Sequence, residues 1–473
     1  MTDILEADLC IIGGGSGGLS VAAGAAQMGA RVVLFEGGRM GGDCLNFGCV
    51  PSKALLAAAK AAHAAHGRPE MGVKGSGAEI DFAAVKDHVA GVIASIEPHD
   101  SPERFRGLGV TVIEDYARFT SRSTVEGGGK TCRAQYFIVA TGSSAMIPPI
   151  PGLAETPYHT NETIFADRER PDHLIIIGGG PIGIEMAQAH QRLGVAVTLI
   201  EAAPTIMIRD DPGLVGVLRQ QLVEEGIRII EGAAVTAVSG KPGAIRVSLD
   251  GQDDIIGSHL LVAAGRRANL DRLDLEKAGV KTSRGGIITD NRLRSSNKRI
   301  FAIGDVAGRQ QFTHVAGYHA GIVIRNTLFR LPAKVDNRAV PWVTYTDPEL
   351  AHVGLTEAEA TEKGLEPRRL EAALADNDRA RAEHRGEGSV VVITDRKGRI
   401  LGASILAPGA GEMIQPWIIA IQYRLKIGAM AAYIAPYPTY GEASKRAAGS
   451  FFTPKLFSEG TRRMVRLLLK YPF

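Results

Sequence analysis

Short apolar runs separated by glycine-rich turns recur along the chain and predict alternating strands and helices. The segment Ala7–Ile12 is an apolar run that predicts a buried strand. A glycine-rich stretch follows it, then a helical pattern to about Met28 and a second strand over Arg31–Phe35. This order is typical of an α/β fold with a parallel sheet.

The first glycine-rich turn has the spacing of a dinucleotide site. Gly13, Gly15 and Gly18 form the pattern G-x-G-x-x-G, with Ser16 opening the predicted helix, and Glu36 ends the second strand. The glycines allow a tight turn and close approach of the backbone to a pyrophosphate at the helix N-terminus. The acid is placed to accept hydrogen bonds from a ribose.

The same pattern recurs after residue 173, and in both copies the acid lies twenty-three positions after the first glycine. Two copies predict two dinucleotides with electron transfer between them, and a vestigial second copy is the alternative. A carboxylate at the second acid favours NADH, whereas Arg209, a few residues on, offers a site for the 2′-phosphate of NADPH. The residues of the second copy are Gly178, Gly180, Ile182, Gly183 and Glu201.

A cysteine pair follows the first nucleotide pattern and precedes an alanine-rich run, residues 54–65, that predicts a helix, with Pro51 suited to an early helical position. Cys44 and Cys49 lie near the start of that helix, where free N–H groups and the helix dipole favour a thiolate. A chance pair and half of a metal site are the alternatives, but no second Cys or His cluster completes a metal motif. Cys10 and Cys132 belong to predicted strands and are expected to be packing residues.

Composition describes an ordinary globular protein of several domains. The 473 residues are 45% hydrophobic and 22% charged, with a net charge of +3, so no charge excess indicates nucleic acid. Four cysteines do not make a secreted disulfide framework. We expect no signal peptide and no membrane span, and therefore a cytoplasmic protein.

The segment GGDCLNFGCVPSK, from Gly42 to Lys53, closely resembles the active-site segment of the pyridine nucleotide–disulfide oxidoreductases, the family of dihydrolipoamide dehydrogenase and mercuric reductase. The resemblance implies FAD in the first nucleotide fold and NAD(P)H in the second. It also implies a C-terminal α+β dimerisation domain, a homodimer and active sites completed across the two subunits. The expected parts are 1–150 and 269–338 for FAD, 151–268 for NAD(P), 339–455 for dimerisation and 456–473 for an amphipathic helix.

Further segments match the family in its order. Thr141–Gly142 and Gly265 follow strands in the positions where such flavoproteins cross between domains, and Gly304–Asp305 resembles the second flavin motif. The resemblance places Lys53 and Glu185 in an ion pair beside the flavin. Without it, each would be interpreted as a surface charge.

The resemblance implies a relay from NADH through FAD to a Cys44–Cys49 disulfide and then to an acceptor. In that relay Cys49 is the charge-transfer thiolate and Cys44 the interchange thiol. The disulfide-reducing members have a His–Pro–Thr segment whose His is the general acid/base, oriented by a Glu five residues later. Here Glu442 is present, but Tyr437 replaces the His, and a phenol is a poor base at neutral pH.

Three functions therefore remain open. They are a dihydrolipoamide-dehydrogenase-like enzyme acting on a small disulfide or dithiol, a mercuric-reductase-like enzyme acting on a metal or quinone, and a redox partner docked through its C-terminal helix. Mercuric reductases carry a Tyr near position 437 but also a C-terminal cysteine pair, which residues 470–473 lack. Tyr437 is equally well interpreted as an interface aromatic. In the C-terminal helix, Arg462, Arg466 and Lys470 oppose an apolar face, which we expect to pack on the protein rather than on a membrane.

Overall fold

The computed structural model describes residues 3–308 and 310–470, without the side chain of Asp3. The first part alternates strands and helices around a parallel sheet. Its elements are β1 (Asp3–Ile12), α1 (Ser16–Gln27), β2 (Val32–Phe35), α2 (Gly42–Asn46), α3 (Cys49–Ala64), β3 (Gly67–Arg68), β4 (Val73–Lys74), α4 (Phe82–Asp100), α5 (Pro102–Gly107), β5 (Val110–Ile113), β6 (Arg118–Ser121), β7 (Thr124–Gly127), β8 (Lys130–Val139) and β9 (Ser143–Ala145).

The middle part repeats the strand–turn–helix unit and returns to the first sheet. Its elements are β10 (His173–Ile177), α6 (Pro181–Arg192), β11 (Ala196–Glu201), α7 (Pro212–Glu224), β12 (Arg228–Glu231), β13 (Val235–Lys241), β14 (Ala244–Leu249), β15 (Ile255–Gly257), β16 (His259–Val262), β17 (Arg266–Ala268), β18 (Thr282–Ser283), β19 (Gly286–Ile287), β20 (Ile300–Ala302) and α8 (Thr313–Thr327).

The last part is of the α+β type. Its elements are β21 (Pro341–Thr344), β22 (Glu349–Gly354), α9 (Glu357–Glu362), β23 (Arg368–Ala373), α10 (Asp378–Ala382), β24 (Ser389–Thr394), β25 (Ile400–Ala407), α11 (Ala410–Met413), α12 (Gln415–Gln422), α13 (Ile427–Ala432), α14 (Glu442–Ser450), α15 (Thr453–Leu456) and α16 (Glu459–Leu468).

Two compact units are present: one of residues up to 66, 77–202 and 232–336, the other of residues 67–76, 203–231 and from 337 onward. In the first unit, β1 is central in a sheet of order β5-β2-β1-β8-β7-β6, and β20 also pairs with β8. The pairs among β5, β2, β1, β8 and β20 are parallel. Leu9 and Ile11 pack on one side of this sheet and Cys10 and Ile12 on the other, which is the two-sided burial of a parallel sheet.

The second Rossmann-like half of this unit is built from β11, β10 and β16, which pair in parallel. In both halves the central strand ends in a glycine turn that opens a helix, α1 after β1 and α6 after β10. The predicted α/β class with two dinucleotide folds is confirmed.

The second unit contains a five-stranded antiparallel sheet of order β21-β22-β25-β24-β23. Helices α12 and α14 belong to its core, where the fully buried Trp417 donates from Nε1 to Ser444 Oγ at 3.2 Å. The predicted α+β character of this part is confirmed. Within the residues described, no helix is both long and apolar enough to cross a bilayer.

The C-terminal amphipathic helix is present as α16, but its apolar face does not pack as expected. Met464, Val465, Leu468 and Leu469 are between 45% and 77% exposed. The expectation that this face packs on its own chain is therefore wrong for the part of the chain that is described. Residues 471–473 of the predicted segment lie outside the described residues.

Candidate active site

The two cysteines of the redox motif lie on separate helices. Cys44 is in the short helix α2, and Cys49 is the first residue of α3, with a break at Phe47 and Gly48 between them. Helix α3 thus begins at Cys49, and Pro51 lies in its first turn, the early helical position that the sequence predicted for this proline. Both cysteines are free thiols in the structure, Cys49 exposed and Cys44 partly buried.

The surroundings of Cys49 favour its thiolate. The Cys44 thiol donates a hydrogen bond to it, the Thr313 hydroxyl lies 3.4 Å from its sulfur, and the Lys53 ammonium adds a favourable charge. Together these lower the pKa of Cys49 to about 6, against the opposing effect of partial desolvation of the sulfur by surrounding groups. The same hydrogen bond, with burial, raises the pKa of Cys44. The pair therefore holds one thiolate and one thiol at neutral pH.

Removing the Thr313 hydroxyl is expected to raise the pKa of Cys49, because the thiolate loses a hydrogen-bond donor. In the reduced wild type, alkylation by iodoacetamide should slow as the pH falls through about 6, where the thiolate becomes protonated. In Thr313→Val this transition should move to higher pH, whereas Thr313→Ser should resemble wild type. An unchanged pH profile in Thr313→Val would show that the hydroxyl does not contact the thiolate.

Lys53 and Glu185 form an ion pair between α3 and α6. Lys53 Nζ lies 2.8 Å from Glu185 Oε2 and 3.3 Å from Ser52 Oγ. The Glu185 side chain is 6% exposed, so its carboxylate needs this partner to offset the cost of burial. Lys53 is also one helical turn from Cys49, where its charge favours the thiolate.

A polar network connects the redox helix α2 to the second flavin motif. Arg266 lies 3.1 Å from Asp43 Oδ2 and donates from Nε to Ser143 Oγ at 2.8 Å. Ser143 in turn donates to Asp305 Oδ2 at 2.5 Å, while burial raises the pKa of Asp305. Asn161 donates to the other oxygen of Asp43 at 2.9 Å.

The first glycine turn leaves room only for backbone. A Cβ at Gly13 would lie 2.4 Å from Ala140 O, and one at Gly42 would lie 2.7 Å from the Cα of Gly15. The N-cap residue of α1 is Gly15, which has no side chain that could bond to the first N–H groups of the helix. These N–H groups, from Ser16 onward, therefore suit a pyrophosphate. The residues present therefore fit an FAD diphosphate.

The second glycine turn repeats this arrangement. A Cβ at Gly178 would lie 2.4 Å from Ala263 O, whereas Gly180 at the cap of α6 has open space beside it. Ile182, near the start of the helix, is 37% exposed. The turn fits a second dinucleotide.

The two acids support the glycine turns. Glu36 Oε2 accepts from Gly14 N at 2.5 Å, and Glu201 Oε2 accepts from Gly179 N at 2.6 Å. Each acid therefore holds the backbone N–H of the residue after the first glycine of its own turn, a role that was not predicted from the sequence.

Three of the predicted site glycines have backbone conformations that favour glycine. Gly142, Gly265 and Gly304 have φ of 67°, 125° and 66°. Thr141 Oγ1 donates to Asn269 O at 2.8 Å, and the Asn269 side chain donates back to Thr141 O at 3.0 Å.

Tyr437 does not contact Glu442 through its hydroxyl. It donates to Asp378 Oδ2 at 3.2 Å, and this contact raises the pKa of the phenol. Glu442 Oε2 lies 3.4 Å from Thr439 N at the start of α14. Tyr437 is 71% exposed.

Thr313, Asp43 and Asn161 are parts of the site that were not predicted from the sequence. Asp43 lies inside the cysteine motif and could have been found there by its charge. Thr313 is 264 residues from Cys49 and carries no local signal.

Comparison with known proteins agrees with this geometry. The pyridine nucleotide-disulphide oxidoreductase model matches residues 7–320, and the dimerisation-domain model of the same family matches residues 340–448. The second match supports a homodimer.

The individual relatives are named for different activities. The chain is 35% identical to a mercuric reductase of Staphylococcus aureus over 94% of this chain and 82% of that one. It is 34% identical to a dihydrolipoyl dehydrogenase of Thermus scotoductus over 93% and 96%. A solved Cu(II) complex of the HOCl-induced flavoprotein disulfide reductase RclA from Escherichia coli matches with a TM-score of 0.84 and 28% identity, over 92% and 98%. From its sequence, its fold and these matches, the chain belongs to the pyridine nucleotide-disulphide oxidoreductases, flavoenzymes that use FAD and NAD(P)H.

Proposed function

We propose that this enzyme is an NAD(P)H-dependent reductase of a thiophilic metal ion. The observation that carries the proposal is Tyr437, which stands where the disulfide-reducing members have their catalytic His. A phenol whose pKa is raised by Asp378 holds its proton at neutral pH and cannot activate a dithiol as a base. A metal ion bound by thiolates needs no such base.

The cysteine pair suits a soft cation. Cys49 is an exposed thiolate at neutral pH, and Cys44 supplies a second sulfur beside it. Thiolates are preferred ligands of soft ions, and metal binding displaces the remaining thiol proton. FAD, when bound, supplies the two-electron link between NAD(P)H and this pair. Lys53 and Glu185 hold one charge of each sign where α3 meets α6.

Reduction of a small disulfide is the second candidate. Cys44 and Cys49 have the spacing of the family's exchange pair, and the Thermus scotoductus relative is named for dihydrolipoyl oxidation. This function needs a proton acceptor other than Tyr437. The two candidate functions therefore make different predictions for substitutions of Tyr437.

Turnover of different acceptors tests the proposal. NADH oxidation is measured with Hg(II), Cu(II) and lipoamide for wild type, Tyr437→Phe and Tyr437→His. We expect metal-dependent turnover in wild type and in Tyr437→Phe, and slow lipoamide turnover in both. Tyr437→His should raise kcat/KM for lipoamide by about 10²-fold, the usual contribution of a general base.

Rapid lipoamide turnover by wild type, without metal-dependent turnover, would overturn the metal proposal and favour the second candidate. The same assay compares the two coenzymes. We propose NADH as the physiological donor, since the Glu201 carboxylate disfavours a 2′-phosphate.

A further inference from the structure

Two histidines and an aspartate, none of them part of the redox site, converge in the first unit. His159 Nε2 lies 3.2 Å from Asp167 Oδ2, and His259 Nε2 lies 3.4 Å from the same oxygen. The two rings are stacked, with centroids 5.8 Å apart. The side chains of His159, Asp167 and His259 are 23%, 22% and 11% exposed, so solvent can reach the cluster.

The backbone holds His159 beside β16, the strand that contains His259. His159 forms a parallel bridge with Leu261 of β16, through bonds from His159 N to Leu260 O and from Val262 N to His159 O. His259 is the first residue of β16, two positions before Leu261. Since alternate residues of a strand face the same side, both imidazoles project to one face of the sheet.

Each potential ligand atom is oriented by a second contact. His159 Nδ1 lies 3.1 Å from Thr163 Oγ1, and His259 Nδ1 lies 2.9 Å from Ser258 Oγ. Asp167 Oδ1 accepts from Glu169 N at 3.0 Å, which leaves Oδ2 turned toward the histidines. Such outer contacts are typical of histidines and carboxylates that bind a metal.

We propose that His159, His259 and Asp167 bind a divalent first-row transition-metal ion of the Zn²⁺ class. Around a tetrahedral ion with ligand distances of about 2.0–2.1 Å, neighbouring ligand atoms lie about 3.4 Å apart. The distances from Asp167 Oδ2 to the Nε2 atoms of His159 and His259, 3.2 and 3.4 Å, are close to this value. The three ligand atoms lie within 4.8 Å of one another. A water molecule would complete the four-coordinate shell on the exposed side.

The bound ion would link the segment 159–167 to strand β16. Asn161 belongs to this segment and hydrogen-bonds to Asp43 and to Phe47 O beside the redox cysteines. The site would therefore stabilise the support of α2. This site has one carboxylate and two imidazole ligands, which are hard and borderline. It therefore differs from the Cys44–Cys49 pair, whose two sulfurs are proposed to bind a soft substrate ion.

Lys86 affects how tightly the site holds a cation. Its buried ammonium donates to Ile164 O at 2.7 Å and interacts with Asp167 and His159. A positive charge nearby weakens the binding of another cation. We therefore expect an exchangeable ion rather than one retained against strong chelators.

The test uses full-length enzyme with FAD bound, in which Cys44→Ser and Cys49→Ser together remove the soft-metal ligands. Zn²⁺ is titrated in competition with a chromogenic chelator, and its stoichiometry is measured by elemental analysis. We expect one site per chain and a rise in Tm on adding Zn²⁺. Asp167→Asn and His259→Gln, made separately in this background, should each lower the affinity by more than about 10-fold, the smallest cost of losing an outer contact.

His173→Gln is the matched control, because His173 begins the neighbouring strand β10 and lies outside the cluster. It should keep the site, and flavin content reports the fold of every variant. Equal Zn²⁺ affinity in all variants, or no Zn²⁺ binding by the parent that carries both Cys44→Ser and Cys49→Ser, would overturn the proposal. If the parent bound no Zn²⁺, His159, Asp167 and His259 would form a hydrogen-bonded cluster that binds protons but no metal ion.

Discussion

Cys49→Ser is expected to lower the rate of acceptor reduction by about 10³-fold or more, because it removes the thiolate of the redox pair, through which electrons reach the acceptor. The serine hydroxyl does not ionise near neutral pH, forms no disulfide with Cys44 and is a poor ligand for a soft ion. Reduction of the flavin by NAD(P)H should persist, because that step precedes the cysteines. Anaerobic stopped-flow flavin reduction and steady-state turnover with each acceptor separate the two effects.

Cys132→Ala provides the control for loss of a sulfur atom. Cys132 is fully buried in β8 and packs in the sheet core, away from the residues of the site. This variant should keep its turnover and lose only stability, on the order of 1 kcal/mol, for the small cavity. Turnover by Cys49→Ser within tenfold of wild type would mean that the acceptor takes electrons directly from the flavin.

Gly18→Ala and Gly183→Ala are expected to abolish different parts of the reaction. A Cβ at Gly18 would lie 1.9 Å from Gly13 O, and one at Gly183 would lie 1.9 Å from Gly178 O, so each turn must deform. Overpacking of this kind costs about 1–3 kcal/mol or more, equivalent to about 5- to 150-fold in binding. Gly18→Ala should lose FAD, whereas Gly183→Ala should keep FAD and react weakly with NAD(P)H.

Gly91→Ala is the matched control, because Gly91 lies inside α4 and a methyl group added there would have no atom of the described neighbouring residues within 4 Å. It should bind both nucleotides as wild type does and be slightly more stable, since alanine favours the helix. The flavin content of purified protein and the KM for NADH are the measurements. Loss of flavin in Gly183→Ala together with its retention in Gly18→Ala would reverse the assignment of the two turns.

Features that depend on neighbouring residues could be predicted from the sequence. The glycine spacing, the apolar runs and the acids after them indicated both Rossmann-like halves, because turn, strand and helix formation are governed by local backbone preferences. The cysteine motif indicated redox chemistry and a helix with Pro51 near its start, and α3 begins at Cys49.

The C-terminal helix shows the limit of periodicity. Its pattern correctly predicted an amphipathic helix, and the expected packing on its own chain was wrong for α16, whose apolar face is exposed. An apolar stripe requires a partner surface but does not specify which one.

Contacts between distant residues were decided only by the tertiary structure. The ion pair of Lys53 with Glu185 could be anticipated by resemblance alone, and Thr313 beside Cys49 not at all. The cluster of His159, Asp167 and His259 likewise depends on the pairing of His159 with β16. The sequence by itself determined the local turns, the redox pair and the missing His. The lowered pKa of Cys49 and the candidate metal site were decided by the tertiary structure, because they arise where the fold brings charges and lone pairs within a few ångströms. Contacts of this kind between distant residues leave no periodic pattern in the sequence.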